Sequence, residues 1–460
     1  MPAGGGMKTA AHSSRNLPGP NLQRILGVAF GVAVGIGAMV GSGIMRTPSL
    51  IAASVPNTGF IIALWVVGGL HALLGVNLLA ELATSVPKAG GPYVYARRAF
   101  GDVTGLLVGW ADWGAYMAST AAASVSFAEF LSLLWPAAAG HKAAVAVALQ
   151  AVLYGANLAG LREGRALQET TSLIKTVMLF GFFAVSIAVA WIMPGAASPA
   201  GATGPAPAIG FASAIVAYQM IVGAYSGWSG PAMFSEENKN PGRSIPLALT
   251  LGLLTTAVLY VCVNLGLLAV LGADGLAQSL LPFTRVLGRI GGPVPGVLFA
   301  IGAMIVVASC ANAAIMAAAR VLFALSRDGL LPSALQAVNK GGSPAMAFAM
   351  AAATSVALAA TGSFAIVFGL IGTLQVLVGL IVDGAFFSLR VREPALERPF
   401  RARLYPYLPA LLLLIDATLL VLFARSDRTG VLFAFGLAAA CVPFAWIARR
   451  ARLRLHPATA

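Results

Sequence analysis

Two stretches of this chain bring together residues that free main-chain polar groups inside apolar surroundings. Gly35-Ile36-Gly37-Ala38-Met39-Val40-Gly41-Ser42-Gly43-Ile44 carries four glycines in nine residues, and Gly223-Ala224-Tyr225-Ser226-Gly227-Trp228-Ser229-Gly230-Pro231 ends on a proline. Within a helix a glycine costs about 1 kcal/mol against alanine, and an internal proline about 3 kcal/mol. Unpaired backbone groups facing lipid would add several kcal/mol more. Such runs persist where small residues let two helices pack closely, or where broken backbone lines a wet cavity and its N–H and C=O groups become ligands. A third candidate is Lys175, in Thr171-Ser172-Leu173-Ile174-Lys175-Thr176-Val177-Met178-Leu179. A lysine within an apolar span is a functional candidate; the alternative is a side chain that snorkels to the interface past polar Gln168-Glu169-Thr170-Thr171-Ser172.

The elements that must position these residues are membrane helices. Of 460 residues only 10% are charged and 59% are hydrophobic, with a mean hydropathy of +0.87. A water-facing surface needs about 25% charged residues, so a soluble enzyme, a disordered chain and a nucleic-acid binder are excluded. Apolar runs long enough to span fall near 22–54 (interrupted), 59–82, 103–135, 141–159, 166–193, 209–235 (interrupted), 245–272, 294–325, 344–361, 363–389, 406–424 and 430–448. Lys175 lies about nine residues into the fifth, roughly 14 Å from its start. With the N-terminus inside, 22 of the 29 Lys and Arg fall in inner segments and six in outer ones, with Lys175 left within a span. That bias follows the positive-inside rule and places both termini in the cytoplasm, in a multi-pass protein of the cell membrane.

The two interruptions lie five spans apart. An odd number of spans inverts a second unit relative to the first, and discontinuous helices at matching positions of inverted repeats point to a midplane transport site. Close packing alone gives no reason for that correspondence. The expected organisation is all-α: a disordered tail over 1–20, a five-helix repeat over 21–200, its inverted counterpart over 201–390, two further helices over 391–448, and a basic tail over 449–460.

The motifs fit this layout. They include Gly41-Ser42-Gly43-Ile44 with Pro48, Ala80-Glu81-Leu82-Ala83, Pro87-Lys88-Ala89-Gly90-Gly91-Pro92-Tyr93-Val94-Tyr95, Ala224-Tyr225-Ser226-Gly227-Trp228 and Glu236-Glu237-Asn238-Lys239-Asn240-Pro241. Later come Ala319-Arg320-Val321-Leu322-Phe323, Ser326-Arg327-Asp328-Gly329-Leu330-Leu331-Pro332 and Arg398-Pro399-Phe400. In this order and spacing the chain, from Leu26 to about Ile447, resembles the amino acid–polyamine–organocation transporters, whose fold is the five-plus-five inverted repeat also seen in LeuT.

The resemblance implies secondary transport of an amino acid. The half-helix beginning after Gly41 would offer N–H groups and a positive dipole end to the substrate carboxylate, with Ser42 adding a hydroxyl and Gly43 leaving room. Carbonyls around Tyr225, Ser226 and Gly227 would accept from the ammonium, while Met39 and Ile44 line the side-chain pocket. In relatives of the large-neutral-amino-acid type an aromatic gate often sits two residues before the tyrosine. Here that position is Gly223, which implies a roomier pocket or a gate supplied from elsewhere. Sodium-independent members carry a lysine where Lys175 stands, replacing a bound sodium ion between the first, fifth and eighth spans. Ser309-Cys310-Ala311-Asn312-Ala313-Ala314 lacks the adjacent Ser/Thr pair a sodium site would want.

Transport could then be proton-coupled symport or exchange of one amino acid for another. Glu81, Trp228, Glu236 and Glu237 are candidate gating residues. Asp112, Glu129, Asp383 and Asp416 could relay protons or pair locally, and His71 reads as a packed or hydrogen-bonded histidine. A polyamine or organic-cation carrier of the same fold is the alternative, although no acidic residue adjoins either break. A channel or membrane enzyme fits less well. The four histidines and three cysteines form no metal-ligand spacing, and no nucleotide-binding loop of the GxxxxGK[ST] kind occurs. No catalytic residue, cofactor, metal or nucleic-acid partner is expected; the sequence names neither the amino acid nor a partner subunit.

Overall fold

The computed structural model describes residues 27–88, 90–158, 165–192, 209–238, 240–339 and 344–447, with backbone alone at 165–169, 236, 237 and 290. The expected tails over 1–20 and 449–460 lie outside them. Every regular element among the described residues is a helix. α1 (Val28–Met39) and α2 (Ser42–Ser54) are followed by α3 (Thr58–Ser85), the short α4 (Pro92–Phe100), α5 (Asp102–Leu134), α6 (Lys142–Leu158) and α7 (Arg165–Ile192). α8 (Phe211–Tyr225) leads into a 3-10 helix over Gly230–Glu237. Then come α9 (Pro241–Ala277), the short α10 (Pro282–Gly291), α11 (Pro293–Arg327), α12 (Ala345–Ala359), α13 (Phe364–Arg392), α14 (Tyr407–Ser426) and α15 (Arg428–Ala439).

Among the described residues nine helices are long and apolar enough to cross a membrane, or ten when α1 and α2 count as one bent span. The other two expected spans correspond to α8 and α12, each of 15 residues. The protein is therefore an all-helical, multi-pass membrane protein. Large apolar side chains such as Leu70, Val152, Leu173, Trp191, Leu298 and Leu414 are exposed on its outside, as a hydrocarbon solvent allows. Inside, small residues bring helices together. α5 contributes Ala115, Ala118, Ala121 and Ala122, and α11 contributes Ala303, Ala311, Ala314 and Ala318, all buried; these two helices form the most extensive pair in the bundle.

Helix ends follow local chemistry. Asn57 caps α3 by accepting from Phe60 N at 2.9 Å, and Asp427 caps α15 by accepting from Gly430 N at 2.9 Å. Pro92, Pro241, Pro282 and Pro293 each stand at a first helical position, where the missing N–H costs nothing. α2 starts at Ser42, and Gly41 before it supplies no side-chain cap.

Candidate functional site

Both glycine-rich runs interrupt their helices, and the interruptions face each other. α1 stops at Met39, Val40 and Gly41 leave the helix, and α2 restarts at Ser42 turned by 43°. α8 stops at Tyr225, Ser226 to Ser229 form turns, and the chain resumes as the tighter 3-10 helix. Gly227 has φ +102°, a conformation that favours glycine, and a Cβ there would lie 2.9 Å from the Ala38 carbonyl carbon. Across the same crossing, a Cβ on Gly43 would lie 3.1 Å from the Ala224 Cα. Glycine at these positions lets two broken backbones touch.

The carbonyls freed at these ends are met by side chains from other helices. Of the last four in α1, Ile36 O accepts from Val40 N at 2.8 Å, Gly37 O from Lys175 Nζ at 3.3 Å, and Met39 O from Tyr260 Oη at 2.7 Å. The Tyr260 oxygen also stands 3.0 Å from Ala224 O near the end of α8, so one hydroxyl proton is shared between the two breaks. Trp65 packs edge-on against Tyr260 and Tyr225, with centroids 5.3 and 6.0 Å away, and its carbonyl accepts from Tyr225 Oη at 3.0 Å. The Tyr225 phenol therefore points into α3, leaving its main chain as the part that faces the break.

Lys175 is buried on α7, where its ammonium reaches the C-terminal end of α1, the end at which a helix dipole favours positive charge. One turn earlier Ser172 Oγ donates to Ala33 O at 2.7 Å. Cys310 of α11 completes the corner. It interacts with Lys175 and receives the Ser42 backbone N–H, and a Cβ on Gly41 would lie 2.5 Å from its Sγ. The first, fifth and eighth spans thus meet at Gly37, Lys175 and Cys310. Met39, Ser42, Ile44 and Tyr225 are buried, while Ser226, Gly227 and Trp228 are half-buried.

The profile of the Amino acid permease family matches residues 28–446. This chain belongs to that family. The permease is 27% identical to the Serine/threonine exchanger SteT of Bacillus subtilis over 68% of its own length and 70% of the relative's. It is 32% identical to an uncharacterized transporter of Mycobacterium tuberculosis over 71% and 70%. It is also 28% identical to the Branched-chain amino acid permease BcaP of Bacillus subtilis over 86% and 87%.

Sequence reasoning missed two aromatic residues at the permease's site. Tyr260 is one. The other is Phe368 on α13, whose ring covers both breaks: a Cβ on Gly43 would lie 3.0 Å from its Cζ, and one on Gly223 would lie 3.0 Å from its Cε1. The Phe368 ring thus fills the space beside Gly223, where the chain has no side chain of its own. Nothing in the local pattern of either residue marks it, since each sits in an apolar run without a periodic or spacing signal.

Ion pairs lie on both sides of the breaks. On one side Arg46 of α2 pairs with Glu129 of α5, Nε to Oε2 at 2.5 Å, donates to Leu280 O, and lies 5.4 Å from the Phe364 ring centroid. Phe364 stacks on Phe368 at 4.9 Å, so this cluster is continuous with the ring over the breaks. At the opposite ends of the helices Arg97 pairs with Asp328 at 2.6 Å and Asp102 at 2.7 Å, and Arg98 with Glu393 at 2.5 Å. The hydrogen bond from Arg98 holds the Glu393 carboxyl below its usual range. Glu81, although near the Lys88/Arg97/Arg98 loop in sequence, pairs with Arg390 and Arg398 and accepts from Ala402 N at 2.7 Å. Trp228 packs on Gly75 of α3. Glu236 and Glu237 end the 3-10 helix, and their side chains lie outside the described residues.

Proposed function

We propose that this permease moves an amino acid across the cell membrane without sodium, by proton-coupled symport or by exchanging one amino acid for another. The observation that carries the reading is the meeting of two broken helices. The N-terminus of α2, to which Gly41 supplies no side-chain cap, and the unwound backbone after α8 lie within one crossing, and the first break is braced by a buried lysine. A zwitterion has a carboxylate for the former and an ammonium for the latter. Met39, Gly41, Ser42, Gly43 and Ile44 would hold the carboxylate end and flank the side chain; Tyr225, Ser226 and Gly227 would take the ammonium through their main chain.

Lys175 would supply in fixed form the positive charge that a sodium ion brings elsewhere. Access would alternate by opening Arg46–Glu129 on the outer side, or the Arg97–Asp328 and Glu81–Arg390 groups on the inner side, with Trp228, Glu236 and Glu237 moving with the second break. The orientation follows the charge bias of the loops, with both termini inside, and the two breaks five spans apart fit a pair of inverted five-helix units. A diamine carrier is disfavoured because Glu129 is committed to Arg46 and Asp112 bonds Gln375.

The test is uptake of radiolabelled L-serine, L-threonine and L-leucine into vesicles containing the purified protein, with and without sodium. Uptake unaffected by sodium and lost in Lys175→Ala supports the proposal. Strict sodium dependence, or wild-type uptake by Lys175→Ala from pH ~5.5 to ~8, overturns the role given to the lysine.

A further inference from the structure

Away from the α1–α2 break, α3, α8, α13 and α14 enclose a cavity of about 80 Å³. One water needs roughly 10–15 Å³ of such space, so the cavity holds several. Ser226, Trp228 and Ser229 of the second break line it together with His71, Asp383 and Asp416. His71 Nε2 and Asp416 Oδ1 are 2.8 Å apart. Asp383 is 3% exposed, and its Oδ2 meets no N–H or hydroxyl donor among the described residues. The group it faces is Asp416, another carboxyl, which can bond it only when one of the two carries a proton. A Cβ on Gly379 would lie 2.6 Å from Asp416 Oδ2, so a glycine is what admits this approach.

We infer that His71, Asp383 and Asp416 form a proton-exchange site that shares its cavity with the broken segment after α8. A proton arriving through the cavity bonds to Asp383 Oδ2, is shared with Asp416, and leaves through the imidazole, which exchanges one N–H for another. The exit is built into the same ring. His71 also borders a second groove of about 630 Å³, lined by Tyr218, Asn77 and Arg403 and open to the surroundings. One imidazole therefore touches both compartments, about 20 Å along α3 from its start.

The other titratable or charged groups around the trio are few. α8 contributes Tyr218, stacked on His71 at 6.2 Å, and Tyr225, whose hydroxyl donates to Trp65 O. α5 contributes Asp112 through Gln375, which lines the cavity, and Arg403 lines the same groove as His71. Among the described residues no lysine or arginine lines the cavity itself, so the imidazole is the basic group beside the carboxyls there. A proton gained or lost here changes the charge beside Ser226 and Ser229, where the main chain is unwound, and this couples proton movement to the second break.

The coupling half of the inference rests on the transport reading; the proton site itself does not. Infrared pH-difference spectra of the purified protein test the site directly. A protonated-carboxyl band should be present, disappear in Asp383→Asn and shift in His71→Gln; a band identical in wild type and Asp383→Asn overturns the site. Vesicles loaded with the same three labelled amino acids test the coupling. For one proton per substrate, a gradient of one pH unit supports about tenfold accumulation. Asp383→Asn should fall to no accumulation while still exchanging labelled for unlabelled substrate across equal pH. Full accumulation by Asp383→Asn overturns the coupling. A wild type that moves none of the three amino acids defeats the proposed function instead, and the infrared result still decides the proton site.

Discussion

A single hydroxyl does more for this site than either glycine run reveals. Tyr260 satisfies the ends of α1 and α8 at once, so Tyr260→Phe strips both carbonyls of a donor. Leaving a buried acceptor unpaired costs about 1–3 kcal/mol. The variant should melt several degrees lower and exchange amino acids poorly, and unchanged melting and exchange would show that the bond is incidental. Lys175 acts similarly on Gly37, but it adds charge, so Lys175→Met should lose uptake even where the protein remains folded by tryptophan fluorescence. Lys175 stood out in the sequence as a charge amid apolar residues. Tyr260 and Phe368 did not, because a tyrosine or phenylalanine in an apolar span is ordinary until its neighbours are known.

At the scale of elements, the broken helices depend on close approach. Gly227→Ala forces a Cβ into the Ala38 backbone at a φ of +102°, so it should separate the two breaks and abolish uptake, read against protein inserted in the membrane. Phe368→Ala should have the opposite character. It removes the ring over Gly43 and Gly223 and should widen the range of amino acids that compete for uptake; an unchanged competition profile would mean that the ring lines no substrate space. Around α4 and the end of α13, the Arg98–Glu393 pair gives a pH signature. Because the Glu393 carboxyl is held below its usual range by Arg98, its contribution is present above the ordinary glutamate range and fades as pH falls through the lowered value. Glu393→Gln should therefore lower the melting temperature slightly at pH ~7 and not at pH ~3, a small effect because the pair is partly solvated.

For the whole molecule, separate ion-pair clusters lie on either side of the breaks, and Cys310 is buried against Gly41. This supplies a reporter. In a protein with Cys262 and Cys441 replaced by serine, Arg46→Gln should speed labelling of Cys310 by a membrane-impermeant maleimide added outside. Asp328→Asn should slow it, because weakening one closure shifts the population toward the side that opens there. Equal labelling rates in all three proteins would count against alternating closure by these pairs.

Composition and charge bias alone determined that this chain lives in a bilayer as a multi-pass helical protein, since lipid excludes charge and forces every backbone group to be paired. The glycine and proline runs fixed where two helices must break, because helix energetics are local. The tertiary structure decided what fills those breaks: Tyr260 across both, Cys310 under Gly41, Phe368 over Gly223, and Glu81 against Arg390 rather than the adjacent basic loop. It also brought His71, Asp383 and Asp416 from three distant helices to one cavity. Pairings of this kind depend on how helices rotate and cross, and nothing in the spacing of residues along a single span records that rotation.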